Sequence, residues 1–307
     1  MAVKVKGHLF KWNTPRRIAQ FLSFIFFSAV VFDLGSLPIL LPVLWTLGLQ
    51  QNVVGDAYTA MQLMLYSAVF PWLAVASFLV VGILIGKSMC GWVCPFGFIQ
   101  DLTVYIRRKK RDFSPRTHET IVYVKYFILA ITLFISMTFA AAKLAGTQKP
   151  YEGAIGIFAR APFTVLSPAE TLFGLIPRSI QSFGNTLAQG VSVDFGSLIA
   201  GLPVLVWAEI IIMVGVLIFT VLVPRGWCRY LCPHGAIMAV MNRFSFIGLR
   251  RDLAKCTKGQ CRGCVEVCPM RIRILDLPWE KFSDPECIYC MKCVDACQDR
   301  AISLKYP

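Results

Sequence analysis

Twelve of the 307 residues are cysteine, and their spacing is that of ligands for iron–sulfur clusters or metal ions. No cysteine occurs before residue 90 or between residues 95 and 227, whereas eight lie between residues 256 and 297. Structural disulfides would be scattered through exported loops, but the ligands of a metal centre recur at short spacing. The grouping therefore predicts metal ligation by thiolates in a reducing compartment.

The eight C-terminal cysteines follow the spacing of two-cluster bacterial ferredoxins. The second group reads C-x2-C-x2-C-x3-C, and the first reads C-x4-C-x2-C-x3-C-P. In this arrangement three thiolates of a tight loop bind one cluster, and the fourth cysteine binds the other. We therefore predict two [4Fe–4S] clusters, one bound by Cys256, Cys261, Cys264 and Cys297, and one bound by Cys268, Cys287, Cys290 and Cys293. Two zinc sites are the alternative, but no histidine is interposed as a ligand, which favours clusters.

The other four cysteines lie in an internal repeat. Residues 87–99 and 225–237 both contain a basic residue followed by C-x3-C-P-x-G, and each copy comes directly after an apolar stretch. The prolines and glycines indicate a tight turn. The spacing is neither the C-x-x-C of thioredoxins nor the C-x-x-C-H of c-type haem proteins. Three roles stay open, namely ligation of a third cluster or a metal, dithiol redox chemistry, or structure alone, for Cys90, Cys94, Cys228 and Cys232.

The composition indicates that a membrane protein carries these motifs. Hydrophobic residues make up 56% of the chain and charged residues 16%, and the mean hydropathy is +0.63. These values exclude an ordinary soluble domain and a disordered chain. Four stretches are apolar over the roughly 20 residues that span a bilayer, and they cover about residues 18–45, 62–86, 121–142 and 203–223.

We therefore predict an all-α bundle of four transmembrane helices within residues 1–251. A small α+β ferredoxin-like domain with two clusters is predicted for residues 252–307. The prolines at positions 38, 42 and 71 are expected to bend the helices that they interrupt.

The net charge of +14 indicates membrane topology. Lysine and arginine are concentrated before the first apolar stretch, between the second and third, and after the fourth, whereas residues 46–61 contain neither. Because basic loops stay on the cytoplasmic side, both termini and the ferredoxin-like domain are predicted to be cytoplasmic. The basic run at residues 107–111 belongs to the same signal, so we expect no nucleic-acid partner.

Ionisable residues within the predicted membrane helices are candidates for function, because burying them in lipid is costly. Asp33 and Glu209 are the predicted catalytic residues, as acceptors of a proton from a quinol hydroxyl. The alternatives are a capped helix terminus for Asp33 and a helix–helix hydrogen bond for Glu209. Lys125 is expected to extend its amine to the membrane surface. His234 is a candidate ligand or proton carrier, although Phe96 in the other copy argues against a shared ligand role.

Four membrane helices, two C-x3-C-P-x-G turns and a two-cluster ferredoxin module together resemble the NapH/MauN-type membrane ferredoxins. The resemblance covers nearly the whole chain. It implies the membrane component of a quinol dehydrogenase, which transfers electrons between the quinone pool and a partner redox protein in a hetero-complex. The same core occurs in the larger NosR-type proteins and in cytochrome oxidase accessory proteins that handle copper.

Three hypotheses for the function follow. The first is quinol oxidation, with electrons leaving through the clusters to a partner redox protein. The second belongs to another class: an accessory factor whose cysteine turns reduce copper or deliver it to a respiratory oxidase. The third is reverse flow from a cytoplasmic donor, since clusters on the cytoplasmic side serve either direction.

Overall fold

The computed structural model describes residues 11–27, 39–45, 54–106, 113–159, 161–188, 203–257 and 261–306. Helices predominate in this part of the chain. Those of the N-terminal half are α1 (Asn13–Phe27), α2 (Ala57–Tyr66), α3 (Trp72–Ile85), α4 (Ser88–Trp92), α5 (Pro95–Thr103), α6 (Pro115–Ile121), α7 (Val124–Leu144) and α8 (Gln148–Ile155). Those of the C-terminal half are α9 (Pro168–Glu170), α10 (Ile176–Ala188), α11 (Val204–Leu222), α12 (Gly226–Tyr230), α13 (Pro233–Asn242), α14 (Gly263–Glu266) and α15 (Lys292–Ala296).

Within the described ranges, two stretches are long and apolar enough to cross a bilayer, namely Pro115–Leu144, which contains α6 and α7, and α11. Only 17% of the most apolar window of each is buried, whereas the core helix of a soluble protein would be mostly buried. Large apolar side chains such as Phe127, Phe134 and Ile211 are exposed along them. An exposed helix that is apolar on nearly all sides favours a lipid environment.

The second predicted span, residues 62–86, consists of the end of α2 and the whole of α3. The chain between them, Ser67–Pro71, is not helical, because Pro71 has no backbone N–H to continue the helix. The fourteen residues of α3 are apolar but are fewer than the roughly 20 that a straight span needs. The bend expected at Pro71 is therefore a complete break.

The first predicted span, residues 18–45, is wrong as a single helix. Residues 18–27 belong to α1, but Ile39–Leu41 forms a strand, β1, that pairs in parallel with β2 (Val54–Asp56). Ile39 lies opposite Val54, and Leu41 lies opposite Asp56. Consecutive apolar residues are compatible with a buried strand as well as with a helix, so the hydropathy alone did not separate the two.

The C-terminal part of the chain is a small α+β unit. Its antiparallel pair joins β3 (Gly248–Arg251) to β4 (Ile302–Lys305), and the short helices α14 and α15 lie between these strands in the sequence. Its buried core includes Cys264, Cys287, Cys290 and Cys293, with Cys268 and Cys297 packed against it, and it also includes Cys90 from the first repeat. The unit therefore packs directly onto the first C-x3-C-P-x-G turn.

Candidate iron–sulfur site

The two repeat turns have the same local structure. In each copy a five-residue helix, α4 or α12, ends just before the second cysteine, and that cysteine is the N-cap of the next helix, α5 or α13. The backbone N–H of Cys94 donates to Met89 O (2.9 Å), and that of Cys232 donates to Trp227 O (3.0 Å). The following proline occupies the first helical position, where the missing N–H costs nothing. The second cysteine of each copy therefore lies at a helix N-terminus, which stabilises a thiolate.

The glycine of the motif is required by a close backbone approach. A Cβ atom at Gly97 would lie 2.8 Å from the carbonyl oxygen of Cys90, and one at Gly235 would lie 3.0 Å from that of Cys228. A Cβ at either position would crowd the backbone of the first cysteine in the same turn. The pattern C-x3-C-P-x-G thus encodes one compact ligand loop, built twice.

A Gly97→Ala substitution is expected to destabilise the protein by about 1–3 kcal/mol, because the added methyl group overpacks the turn. Thermal unfolding of the detergent-purified protein, followed by circular dichroism, measures the change. Gly153→Ala is the matched control, since Gly153 lies in α8 with no atom within 4 Å of the added carbon. That variant should be more stable by about 0.5–1 kcal/mol, and equal effects at the two glycines would contradict the close approach.

The structure brings the four repeat cysteines together, and we call them the turn set (Cys90, Cys94, Cys228 and Cys232). All four are buried. Burial, followed by the charge of Cys228, raises the pKa of Cys90 to about 11. Burial raises the pKa of Cys94 and of Cys232 as well, and in each case the charges of Cys228 and then Cys90 raise it further. In addition, the side-chain amide of Gln100 donates to Cys228 Sγ (3.0 Å).

The C-terminal cysteines form two further sets that combine residues distant in sequence. Burial, and then the charges of Cys297, Cys261 and Cys256, raise the pKa of Cys264. Burial, and then the charges of Cys290, Cys287 and Cys268, raise the pKa of Cys293. We call these the distal set (Cys256, Cys261, Cys264 and Cys297) and the proximal set (Cys268, Cys287, Cys290 and Cys293). In both sets the fourth thiol comes from the other sequence group.

The three sets can hold clusters. Four thiolates that share a buried site need a positive centre to balance their charge, and the iron ions of a cluster supply one. In the described part of the chain no three His, Cys, Asp or Glu side chains are arranged to hold a single metal ion. The thiolates of a [4Fe–4S] cluster bind different irons and stand farther apart than the ligands of one ion, so the spread of the sets is compatible with clusters.

The sets follow one another from the interior to the surface. A Cβ atom at Gly91, between the two cysteines of the first turn, would overlap the carbonyl oxygen of Ile288 in the proximal loop. Next to it, the indole N–H of Trp92 donates to Tyr289 O (2.8 Å). The loop between Cys90 and Cys94 therefore packs against the loop between Cys287 and Cys290. In the distal set Cys261 is exposed, whereas every cysteine of the turn set is buried.

A buried ionic network lies beside the turn set. Asp101 in α5 accepts two hydrogen bonds from Arg225, from Nε to Oδ1 (3.1 Å) and from Nη2 to Oδ2 (2.6 Å). Arg16 lies 3.1 Å from the same Oδ2 atom, and Gln20 donates to it at 3.1 Å. Arg225 also donates to the carbonyl of Cys90 (2.7 Å). Burial alone would raise the pKa of Asp101, but Arg225 and Arg16 hold it well below its usual range.

A second buried network joins the membrane part to the C-terminal unit. Glu286, which precedes Cys287, accepts hydrogen bonds from Lys87 Nζ (2.7 Å) and from Lys125 Nζ. Both lysines are fully buried. The expectation that Lys125 extends its amine to the membrane surface is therefore wrong, because Glu286 provides a partner for its charge inside the protein.

A third buried pair joins His234 to Asp56. The distance from Nε2 to Oδ1 is 2.6 Å, and the same carboxylate caps α2 through the N–H groups of Tyr58 and Thr59. The ring of His234 lies among aromatic side chains, including Tyr58 and Phe163. The hydrogen-bond partner of His234 is therefore an acid rather than a thiol.

Of the two predicted proton acceptors, only Glu209 lies in the part of the chain that the structure describes. Asp33 lies outside the described residues. Glu209 is half-buried in α11, and its charged neighbours are Glu170 and Arg178 rather than members of the cysteine sets. Three acids of these buried networks were not predicted from the sequence as functional residues, namely Asp56, Asp101 and Glu286. The repeat itself held one available signal, because Lys87 and Arg225 occupy the same position, three residues before the first cysteine.

Comparison with family profiles finds iron–sulfur domains over both regions. Residues 67–114 and residues 205–252 each match the family described as a 4Fe-4S binding domain, and residues 248–298 match the 4Fe-4S dicluster domain. The same family matches twice, once over each copy of the turn. This confirms the internal repeat. No solved structure matches the chain.

Several curated proteins are similar to the chain over most of its length. The electron transport protein YccM of Escherichia coli is 26% identical, over 73% of this chain and 52% of its own length. The ferredoxin-type protein NapH of Escherichia coli is 25% identical, over 72% of this chain and 63% of its own length. The regulatory protein NosR of Pseudomonas aeruginosa is 23% identical, over 66% of this chain. The chain spans about half of YccM and 22% of NosR, so both relatives contain regions that have no counterpart in this alignment.

Proposed function

Because this chain belongs to the NapH-type ferredoxins, with NosR among its relatives, we propose that it is a membrane protein that takes electrons from quinol and passes them to a partner redox protein. The 4Fe-4S family matches and the names of NapH and YccM support the broader description, an electron-transport iron–sulfur protein. Quinol as the donor and the identity of the partner are the further steps of the proposal.

The observation that carries the proposal is the sequence of three cysteine sets from a buried turn set to an exposed Cys261. We assign a [4Fe–4S] cluster to the proximal set and another to the distal set, and a third cluster to the turn set. When bound, such clusters supply one-electron transfer, which divides the two-electron oxidation of quinol into single steps. The helix N-termini at Cys94 and Cys232 stabilise the ligating thiolates.

The surrounding residues determine where electrons can leave. Aromatic and aliphatic side chains enclose the turn set and exclude water from it, among them Phe96, Phe163 and Trp227. The backbone contact between Gly91 and Ile288 leads from this set to the proximal set. The exposed side of the distal set is the place for a partner redox protein. Electron flow in the reverse direction would use the same path.

The membrane arrangement is part of the same proposal. Pro115–Leu144 and α11 lie in the bilayer, with both termini and the clusters on the cytoplasmic side, as the distribution of basic residues indicates. Glu209 in α11 and Asp33 remain the proposed acceptors of quinol protons. A Glu209→Gln variant that keeps full quinol-dependent turnover would remove Glu209 from the proton path.

The test is electron paramagnetic resonance of the purified full-length holoprotein during addition of a menaquinol analogue. Growth of reduced-cluster signals supports quinol oxidation. No response to the quinol, combined with copper binding or copper reduction that depends on the turn set, would support the accessory-factor hypothesis instead. Iron quantitation on the same sample should give about twelve atoms per chain if all three sets bind [4Fe–4S] clusters, and about eight if the turn set does not.

A further inference from the structure

Arg16 is a buried cation whose hydrogen bonds are incomplete. Its side chain is fully buried, and its Nη1 atom contacts Asp101 Oδ2 (3.1 Å) and the carbonyl of Gly91 (3.5 Å). Among the described residues, neither its Nε atom nor its Nη2 atom has a hydrogen-bond partner. Arginine stays charged in proteins, and buried charged donors are normally paired. Two unpartnered donors on one buried guanidinium therefore point to an anionic group other than the described side chains.

The position of Arg16 indicates that this anionic group is the cluster held by the proximal set. The helix that carries it, α1, is attached at its start to α15, because the N–H groups of Trp12 and Asn13 donate to the carboxylate of Asp295 (2.9 and 3.0 Å). Arg16 follows about one helical turn later. Its other contact, Gly91, touches the proximal loop at Ile288. Arg16 is thus held between the first repeat turn and the loop that contains Cys290 and Cys293.

Other cations surround the same loop. Cys290 is a charged neighbour of Arg16, of Arg225 and of Lys292. Asp101 is the carboxylate that pairs with the two arginines, so this group of side chains has an excess of positive charge at the proximal set. Burial makes such an excess effective, since the charges are poorly screened by water.

We propose that Arg16 raises the reduction potential of the cluster held by the proximal set. The inference rests on the proposed function, because it takes the proximal set as a cluster site. A cluster gains negative charge when it accepts one electron, so a fixed buried cation stabilises the reduced form more than the oxidised form. The proximal cluster is thereby the better acceptor for an electron that arrives from the turn set.

The test is a redox titration of the full-length holoprotein, followed by electron paramagnetic resonance, for Arg16→Gln, Arg16→Lys and Arg17→Gln. The signal of the proximal cluster is identified as the one altered in a Cys290→Ser variant. Arg16→Gln should lower its midpoint potential by the equivalent of tenfold or more in the reduction equilibrium, about 59 mV for one electron. Arg16→Lys keeps the charge, so its midpoint potential should exceed that of Arg16→Gln by more than half of the difference between the wild-type protein and Arg16→Gln.

Arg17→Gln is the matched control. Arg17 is adjacent in the sequence and lies 3.6 Å from the same Asp101 oxygen, but it is partly exposed. Its replacement should shift the midpoint potential of the proximal cluster by less than one third of the shift that Arg16→Gln causes. Equal shifts in the two glutamine variants, or no shift in Arg16→Gln, would overturn the inference. Wild-type protein without the proximal cluster's signal would instead overturn the proposed function, so the two failures are distinguishable.

Discussion

An Asp101→Asn variant is expected to be about 3–5 kcal/mol less stable than the wild-type protein, the cost of breaking a buried ion pair by removing one partner. Asp101 is almost fully buried, and Arg225 and Arg16 are completely buried. Without the carboxylate, both guanidinium groups lose the side chain that pairs with them and cannot reach water. The free energy of unfolding in detergent, measured with denaturant, tests the expectation.

The exposed ion pair between Glu119 and Arg273 provides the control. Both side chains are more than half exposed, and such surface pairs contribute about 0–1 kcal/mol. Glu119→Gln should therefore leave the unfolding free energy nearly unchanged. A loss of less than about 1 kcal/mol in Asp101→Asn would show that the buried network is not a significant source of stability.

The lowered pKa of Asp101 also determines the pH range over which its carboxylate stabilises the folded protein. Its folded-state pKa lies below the ordinary value, so the contribution is complete above the unfolded pKa of about 3.9 and is lost as pH falls through the folded pKa. The difference between wild-type and Asp101→Asn should therefore stay constant from about pH 8 to about pH 5. A difference that already shrinks within this range would indicate that another group titrates.

A Cys232→Ser variant is expected to lose about one third of its iron, from about twelve to about eight atoms per chain, if the turn set binds one of three [4Fe–4S] clusters. In the wild-type protein the N–H of Gly235 donates a hydrogen bond to Cys232 Sγ (3.4 Å). The hydroxyl oxygen of serine can accept this hydrogen bond instead. Serine is also a good N-cap. The variant therefore removes the thiolate while it retains the turn, and iron and acid-labile sulfide analysis measures the result.

Cys261→Ser is the comparison for this variant, because Cys261 is the exposed member of the distal set. It should change the signal of the distal cluster and leave that of the turn set in place. The two variants should therefore alter different resonance signals. A wild-type content of about eight iron atoms per chain that Cys232→Ser leaves unchanged would exclude a turn-set cluster.

The cysteine pattern predicted more of the site than hydropathy predicted of the fold. The spacing within 256–297 is local and repeated, so the two groups of four could be proposed before any coordinates, and their ligation of clusters stays a prediction. The resemblance to NapH-type ferredoxins with NosR relatives is confirmed by the curated matches. Hydropathy, by contrast, indicates that a segment is buried in lipid or protein, but it does not distinguish a helix from a strand or show where a helix is interrupted. It therefore placed β1 in the same predicted span as α1, and α2 in the same predicted span as α3.

The role of the basic residues was the larger omission. Arg16, Lys87 and Arg225 were grouped with the charges that flank membrane helices, which is a statistical property of whole loops. Their buried partners, Asp101 and Glu286, come from elements distant in sequence: Lys87 and Glu286 are 199 positions apart. A single sequence gives no distances, so it cannot separate a buried, paired cation from one that faces the cytoplasm.

The duplicated turn has a consequence for the ancestry of the protein. One copy of the unit contributes two thiols, a helix N-terminus and the glycine that lets the loop close, but only half of the turn set. A precursor with a single copy could have completed the set by symmetric pairing with a second chain, in which each subunit presents the same surface. Fusion of two such copies would then have allowed the halves to diverge, with Phe96 in one and His234 in the other.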